Sequence, residues 1–364
     1  MTHRIHSKRA AVSALVVLLC AADAGAQPRE PPQPDLVIDA AMRTQVIDRA
    51  LAALTRSYVY PELAAKLATA IRDHAKARRY DALTSAARFA AMLTADLQAV
   101  SHDKHMRVRY SAGAVPDEPV GLGPPPEAER VRARARAQRT NAAFVKVERL
   151  AGNIGYLRLD EFMSPAEAGP AAAAAMSFVA DTDALILDLR DNHGGDPRTV
   201  AILVSYLYGE GADIHINDIY WRPDDSTRQF WTQPSLPGRR YPNKPVYVLT
   251  SHATFSGGEE CAYDLQALKR ATLVGEVTGG GANPGAPVKV ADHFTVFVPM
   301  GRSVNPVTKT DWERIGVKPD IATPAAKALD TAYLTALRAQ QARISATDAP
   351  GLRAEIDQAI GKLK

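Results

Sequence analysis

The stretch PVYVLTSHATFSGGEECAYDLQAL, from Pro245 to Leu268, changes its pattern in the middle. It begins with the apolar, β-branched residues typical of a buried strand. It ends with apolar residues at helical spacing (Cys261, Ala262, Leu265, Leu268). Ser256 therefore lies where a strand turns into a helix, beside free backbone N–H groups that stabilise negative charge. A serine there is also an ordinary helix cap, so its meaning depends on the rest of the chain.

Residues 1–26 have the pattern of a secretory signal peptide. A basic start precedes an apolar run from Ala10 to Leu19, and Ala24-Gly25-Ala26 follows. The run is too short to span a bilayer as a helix. We therefore expect cleavage near Ala26 and an exported protein, periplasmic or secreted, without stable membrane insertion. Leu18-Leu19 precede Cys20 where a lipoprotein signal has small residues, so a lipid anchor is not expected.

The composition is that of a soluble globular protein, with 46% hydrophobic and 23% charged residues among 364. Loss of residues 1–26 removes three cations and Asp23, so the formal net charge falls from +4 to +2. This small charge is no nucleic-acid signature, and we expect no nucleic-acid partner. Only Cys261 remains after cleavage, which excludes an internal disulfide. The sequence contains no pattern that indicates an oligomeric state.

From about Val37 to Val100, apolar residues recur at helical spacing in three segments. Pro61 opens the second segment, and Thr84 or Ser85 opens the third. Three short amphipathic helices cannot each bury a face alone. The sequence therefore predicts a small three-helix bundle, which would support or shield another part of the chain.

Two histidines, His102 and His105, flank Asp103 directly after this bundle. A metal site built on these three residues would need further histidines or carboxylates at matching spacing, and we find none. We therefore predict no metal and no cofactor. Either imidazole is a candidate general base, although a solvated histidine is equally ordinary at a helix-to-strand junction.

A basic run, RVRARARAQR, extends from Arg130 to Arg139 within a proline-containing stretch. A helix of this composition would carry a cationic face for acidic peptides or anionic lipid. The alternative is a solvated surface, and the role of the run stays open.

Strands and helices alternate further along the chain. Two segments, 144–150 and 154–159, flank Ala151-Gly152-Asn153 and predict a hairpin, and 184–190 is apolar enough for a central strand. Gly194 and Gly195 then precede a helix, so they form either a plain tight turn or a nest of amides for an anion. This alternation predicts an α/β core whose loops at one sheet edge carry the chemistry.

Four motifs occur in a fixed order: LDLRDNHGG (187–195), LTSHATFSGGEE (249–260), the glycine turn at 278–280, and GVKPDI (316–321). Together they resemble the carboxy-terminal processing (tail-specific) serine protease family. Within it, the chain is most similar to the branch of tricorn protease cores and the modules of interphotoreceptor retinoid-binding protein. The resemblance spans roughly 37–325. It implies an α/β (α+β) fold, with the three-helix bundle followed by a mixed β-sheet core with flanking helices of the ClpP/crotonase-like type.

The sequence patterns and the resemblance together predict a division of the chain. The segments are a signal peptide (1–26), a Pro-rich linker (27–36), an N-terminal helical domain (37–110), a loop and basic linker (111–142), a protease core (143–325) and a C-terminal helical tail (326–364). The segment 111–142 is too short for the PDZ domain of many family members.

Family members with a Ser-Lys dyad carry the lysine just after the glycine turn, where this chain has Gly281. The resemblance therefore implies the tricorn-like arrangement, in which the histidine of a D-x-H segment is the base. His105 matches that base, and Ser256 matches the nucleophile.

The remaining implied site residues are backbone amides and one acidic group. The amide of Gly257, with that of Gly194 or Gly195, matches the oxyanion hole. Glu313 is the first choice for the residue that orients the base, and Glu259 is the second. The implied function is an exported serine peptidase that acts on peptides or unfolded proteins.

Two alternatives remain. Ser256, Glu276 and His293 follow the chain order of an α/β-hydrolase esterase, although Thr254 stands where its nucleophile elbow has glycine. The second alternative is a non-catalytic module that binds lipid or peptide. Three tryptophans, Trp221, Trp231 and Trp312, either line a substrate groove or pack locally.

Overall fold

The computed structural model describes residues 33–116, 127–344 and 349–363, so the predicted signal peptide lies outside the described residues. From Asp35 onward the described chain forms one compact unit. It contains the α-helices α1 (Ala40–Ser57), α2 (Pro61–Lys76), α3 (Ala86–Ser101), α4 (Glu127–Thr140), α5 (Pro165–Val179), α6 (Pro197–Tyr206), α7 (Gly257–Ala267), α8 (Ala325–Arg343) and α9 (Pro350–Lys362).

The described strands form three sheets. The strands are β1 (Arg107–Tyr110), β2 (Phe144–Leu150), β3 (Ile154–Leu159), β4 (Ala184–Asp188), β5 (His215–Trp221), β6 (Ser226–Trp231), β7 (Val246–Thr250), β8 (Thr272–Gly275), β9 (Gly285–Ala291), β10 (Phe294–Pro299), β11 (Gly301–Val304) and β12 (Ile321–Ala322). The predicted mixed α/β fold is confirmed.

The largest sheet has the strand order β12-β8-β7-β4-β3-β2. Its neighbours are parallel from β3 to β12, while β2 runs antiparallel to β3 as the predicted hairpin. Every residue of β4 and β7 is buried. Continuous apolar runs are typical of central parallel strands, because both of their faces are covered.

Helices cover both faces of this sheet. Leu185 and Leu187 pack towards the layer of α5, α6 and α7. Ile186, which points the opposite way, packs with Leu337 of α8 and Ile356 of α9. The C-terminal helices, which the sequence suggested as a tail beyond the core, thus form one of its layers.

The three predicted N-terminal helices are present. Asp39 caps α1 by accepting a hydrogen bond from the N–H of Met42 (2.8 Å), and Ser85 caps α3 by accepting from Arg88 (3.1 Å). Their apolar faces pack together and also against β1, β9 and β10, which form the sheet order β1-β10-β9. The short loop after α3 therefore leads into a strand, β1, that pairs with β10.

Two features were not predicted from the sequence. One is the small sheet β11-β5-β6, in which β6 is an edge strand. The other is that part of the segment assigned as a loop and basic linker forms a regular helix, α4. Its arginines are exposed, and Arg136 pairs with Glu161. Among the described helices, none is both long and apolar enough to cross a bilayer.

Candidate active site

The carboxyl ends of β4 and β7 bring two loops together. The strands are adjacent and parallel, with Asp188 opposite Leu249. The loop after β4 contains Asn192, and its carbonyl accepts a hydrogen bond from the N–H of Phe255 in the loop after β7 (2.9 Å). Loops at this edge of a parallel sheet commonly hold the reacting groups.

Ser256 occupies the sharp turn between β7 and α7. Its backbone has φ 53° and ψ −121°, a conformation that residues with a Cβ rarely adopt. The turn is held because the N–H of Ser256 donates to Oε2 of Glu259 (2.9 Å). Such strain at a strand-to-helix turn presents a side chain towards solvent, as nucleophile turns do.

His105 reaches this serine from the far end of the sequence. Nε2 of His105 lies 3.0 Å from Oγ of Ser256, across a separation of 151 residues. Its ring packs against Phe255, with centroids 4.6 Å apart, and stacks with Phe297 at 5.9 Å. Burial, together with the charge of Arg107, lowers the pKa of His105 to about 4. The imidazole is therefore neutral and able to accept a proton at pH 7.

Asp103 fixes the segment that carries His105. Its carboxylate accepts hydrogen bonds from the N–H of His105 (3.0 Å), from Nδ2 of Asn283 (2.9 Å) and from the hydroxyl of Tyr58 (3.3 Å). Burial raises the pKa of Asp103. The three donors come from the residue after α1, the loop after α3 and the glycine-rich loop, so Asp103 ties the helical layer to the core.

Glu313 lies beside the imidazole. Its Oε2 accepts a hydrogen bond from the N–H of Ala282 (2.6 Å), while Oε1 is buried without a described partner. Nδ1 of His105 is likewise buried without a described partner. A ring nitrogen of His105 and one oxygen each of Asp103 and Glu313 lie within 4.8 Å of one another. Burial, and then the charge of Asp103, raises the pKa of Glu313 to about 8.

This cluster is also the described group whose donor atoms could hold a metal ion. One imidazole and two carboxylates are a possible donor set for zinc. Nε2 of His105 is already directed at Ser256, which leaves Nδ1 as the ring donor. His102, the other histidine considered from the sequence, is exposed and belongs to no such described group. The absence of a metal stays a prediction.

Glu259 does not contact His105 through any described hydrogen bond. It accepts four: from the N–H groups of Ser256, Gly280 and Gly281, and from the hydroxyl of Thr278. Its carboxylate is fully buried, and burial raises its pKa. Glu259 therefore joins the turn at Ser256 to the glycine-rich loop.

The three glycines considered for an oxyanion hole surround Ser256. A Cβ at Gly194 would lie 2.6 Å from the Cβ of Ser256, and a Cβ at Gly257 would lie 3.1 Å from the nitrogen of Gly195. The N–H of Gly194 is engaged, because it donates to Oδ1 of Asn192 (2.9 Å). Among the described residues, the N–H groups of Gly195 and Gly257 have no acceptor. These two amides are therefore the ones available to an anion.

Ser256 and His105 open into a cleft of about 640 Å³, which Phe255, Phe297 and Gly279 also line. Trp221 and Trp231 line a neighbouring groove of about 1160 Å³, while Trp312 is buried and donates to the carbonyl of Gly281 (2.8 Å). Two of the three tryptophans thus lie along a groove and one packs locally.

The esterase alternative receives no support from the geometry. Nδ1 of His293 lies 3.0 Å from the carbonyl of Ser111, at the turn between β9 and β10. Glu276 accepts a hydrogen bond from the N–H of Ala325 (3.0 Å) at the start of α8. It is His105, not His293, that lies next to Ser256.

Sequence reasoning missed the supporting role of Asp103 and its partners. Asp103 was visible only as a possible metal ligand, although its spacing from His105 in the D-x-H segment was a usable signal. Tyr58 and Asn283 lie 45 and 180 residues from Asp103, and no local pattern connects them.

A serine in contact with a histidine, beside two available amides, is the arrangement of a serine-hydrolase site. The chain belongs to peptidase family S41. Residues 153–323 match the description Peptidase family S41, and residues 40–144 match the N-terminal domain of that family in eukaryotic IRBP.

Two curated relatives illustrate the likeness. The carboxyl-terminal-processing protease of Synechocystis sp. is 30% identical over 185 residues, 49% of this chain and 40% of the relative. The chloroplastic carboxyl-terminal-processing peptidase 2 of Arabidopsis thaliana is 29% identical over 178 residues, 47% of this chain and 32% of the relative. The matched regions thus span less than half the length of either relative.

A lipoprotein from Streptococcus agalactiae has a similar solved structure, with a TM-score of 0.55 and 12% identity. The alignment covers 87% of this chain and 99% of that one. At this identity the likeness concerns the fold alone.

Proposed function

We propose that this protein is a serine peptidase that hydrolyses peptide bonds in peptides or unfolded proteins. The observation that carries the proposal is the 3.0 Å contact between Nε2 of His105 and Oγ of Ser256. A serine hydroxyl is a weak nucleophile at neutral pH, so a neutral base within hydrogen-bond reach is the first requirement.

In the first half-reaction, Oγ of Ser256 attacks the carbonyl carbon of the scissile bond and passes its proton to Nε2 of His105. The carbonyl oxygen becomes an oxyanion, which the N–H groups of Gly195 and Gly257 stabilise. Each such donor contributes about 3 to 4 kcal/mol in the transition state. The intermediate then collapses, the C–N bond breaks, and the leaving amine takes the proton from His105.

In the second half-reaction, the oxygen of a water molecule attacks the acyl group on Ser256, and His105 takes a proton from that water. Collapse of this intermediate releases the new carboxyl terminus and returns the proton to Oγ. Glu313, whose buried Oε1 has no described partner, orients His105 and stabilises the imidazolium. Glu259 is a positioning residue, because it holds the backbone of Ser256 rather than the imidazole.

We also propose export, on the basis of the signal-like pattern of residues 1–26, which lie outside the described part of the chain. The division into a helical domain (37–110) and a core (143–325) is likewise a proposal. The packing differs from this division in one respect: β9 and β10, which belong to the core by sequence, pack with the N-terminal helices.

Purified protein tests the function directly. We expect hydrolysis of casein-derived peptides and labelling of Ser256 by a fluorophosphonate probe, and we expect Ser256→Ala and His105→Ala each to abolish hydrolysis. His293→Ala is the matched control and should retain it. Peptide hydrolysis that persists in Ser256→Ala would remove this serine from the mechanism. Binding of peptide without turnover or labelling would favour a non-catalytic module.

A further inference from the structure

The cleft beside Ser256 has a wall of positive charge. Lys104, Arg107 and Arg109 line it, together with His193 and His252, and no aspartate or glutamate is among its described lining residues. We call Lys104, Arg107 and Arg109 the cationic wall. All three side chains are exposed.

Many other arginines of the described chain are paired with carboxylates. Arg158 contacts Asp160 (2.8 Å), Arg190 contacts Asp188 (2.7 Å), and Arg239 contacts Asp181 (2.5 Å). Their counter-charges are within the chain. No described carboxylate forms such a pair with a member of the cationic wall.

The charges near Arg107 are positive. Burial and the neighbouring charge of Arg109 lower the pKa of Arg107, and the pKa of His105 is lowered by Arg107 as well. Nε of Arg107 donates to the carbonyl of Lys104 (2.9 Å), and the guanidinium lies 5.9 Å from the ring centroid of Phe255. Its terminal N–H groups have no described acceptor, so they are available to an anion in the cleft.

The strand geometry aligns the two arginines. Arg107 and Arg109 are alternate residues of β1, and Val108 between them is buried. Alternate residues of a strand point to the same face and lie about 7 Å apart. β1 begins two residues after His105, so both guanidinium groups stand on the side of the cleft that carries the base.

The neighbouring groove differs in this respect. It shares Gly195, Pro284 and Gly285 with the cleft, but its arginines are paired: Arg198 with Asp196 (2.5 Å) and Arg228 with Asp224 (3.8 Å). Among the described arginines that line the cleft and the groove, Arg107 and Arg109 of β1 are therefore the ones without a carboxylate partner.

We propose that the cationic wall binds a carboxylate of the peptide substrate and so selects acidic substrates over basic ones. The inference rests on the proposed peptidase function. Guanidinium groups bind carboxylates through charge-assisted, often bidentate hydrogen bonds, while a lysine or arginine in the same position would be repelled. The carboxylate comes either from an aspartate or glutamate side chain or from a free carboxyl terminus.

A series of fluorogenic peptides separates these sources. Each peptide carries one glutamate, one glutamine or one lysine at successive positions around the scissile bond, and each is made with a free or an amidated carboxyl terminus. We expect kcat/KM to be about tenfold higher for glutamate than for glutamine at one or two positions in low salt. The ratio should fall towards one at about 0.5 M salt, because ions screen exposed charges. A preference confined to free-acid peptides would identify the terminal carboxylate instead.

Variants assign the preference to the wall. Arg109→Gln should lower the glutamate-to-glutamine ratio, and Arg109→Glu should lower it further, while Lys104 and Arg107 remain in the wall. Arg49→Gln, an exposed arginine on α1 outside the described cleft lining, should keep the wild-type ratio. The ratio is independent of the fraction of active enzyme, so partial misfolding of a variant does not mimic the result.

Measurements of peptide binding distinguish an error in the proposed carboxylate site from an error in the proposed peptidase function. Fluorescence anisotropy with Ser256→Ala should show tighter binding of the glutamate peptide than of the glutamine peptide, whether or not the wild type cleaves either. Cleavage of all peptides with equal kcat/KM and equal affinity would overturn the carboxylate site and leave the peptidase intact. Preferential binding without any hydrolysis by wild type would overturn the peptidase and retain the carboxylate site.

Discussion

A Cβ atom at position 281 would lie 2.8 Å from Cε1 of His105. The resemblance to the processing proteases implies that the lysine of a Ser-Lys dyad would stand near Gly281, and a side chain there would enter the space of Phe255 and of the imidazole. The rings of Phe255 and His105 therefore fill the space that a side chain at 281 would occupy.

Gly281→Ala should consequently displace the imidazole. Phe255, which a Cβ at 281 would also meet, packs against the same ring, so neither neighbour can yield without disturbing the contact with Ser256. We expect kcat to fall by about 100-fold, as misplacements of about 1 Å can cause. Steady-state kinetics measures this. Gly361→Ala, in α9 with open space around it, should leave kcat unchanged. Wild-type kcat in Gly281→Ala would show that the ring tolerates the methyl group.

Ser256→Gly should be more stable than Ser256→Ala, although both should be inactive. The backbone of Ser256 has φ 53°, which is strained for any residue with a Cβ and relaxed for glycine. We expect a difference of about 1 kcal/mol in the free energy of unfolding, measured by urea denaturation. Equal stability of the two variants would mean that the turn at α7 carries no strain.

Glu313→Gln should change the pH dependence of catalysis. The pKa of Glu313 is raised to about 8, so the carboxyl group loses its proton as the pH rises through about 8. The resulting carboxylate stabilises the imidazolium that forms at His105 in the transition state. We expect kcat/KM of the wild type to rise by about tenfold across this range. The rise should be missing in Glu313→Gln, and an identical profile of both proteins would contradict the assignment.

Glu260→Gln should stabilise the protein at high pH. Glu260 is buried in α7, and burial raises its pKa from the ordinary 4.5 of a glutamate to about 7. A raised carboxyl pKa stabilises the fold fully below about pH 4.5, and this contribution is lost as the pH rises towards 7.

The neutral glutamine can still accept the hydrogen bond from Nδ2 of Asn217 (3.2 Å). We expect the difference in unfolding free energy between Glu260→Gln and wild type to be about 1 to 3 kcal/mol more favourable to the variant at pH 8 than at pH 4.5. Urea denaturation at both values tests this, with exposed Glu62→Gln as control. A pH dependence identical to wild type would show that Glu260 is ionised in the fold.

Local patterns predicted most elements near the site. The sequence predicted β4 and β7, because burial on both faces leaves a continuous apolar run, and it predicted the hairpin of β2 and β3 from the turn residues between them. The small sheet β11-β5-β6 was missed, since β6 is a mostly exposed edge strand and β11 has only four residues. The C-terminal helices were predicted as helices. Their packing against Ile186 was not predicted, because helical periodicity shows which face is apolar but not which strand that face contacts.

By itself, the sequence determined that Ser256 lies at a strand-to-helix turn and that no lysine stands at 281. These are properties of neighbouring residues, and local periodicity encodes them. Only the tertiary structure decided that His105 reaches Ser256, that Glu259 holds the backbone of Ser256 while Glu313 lies beside the ring, and that Gly195 rather than Gly194 has a free amide. Those relationships arise because α3 and β1 pack on β10 and so place residues 151 positions apart within hydrogen-bond distance.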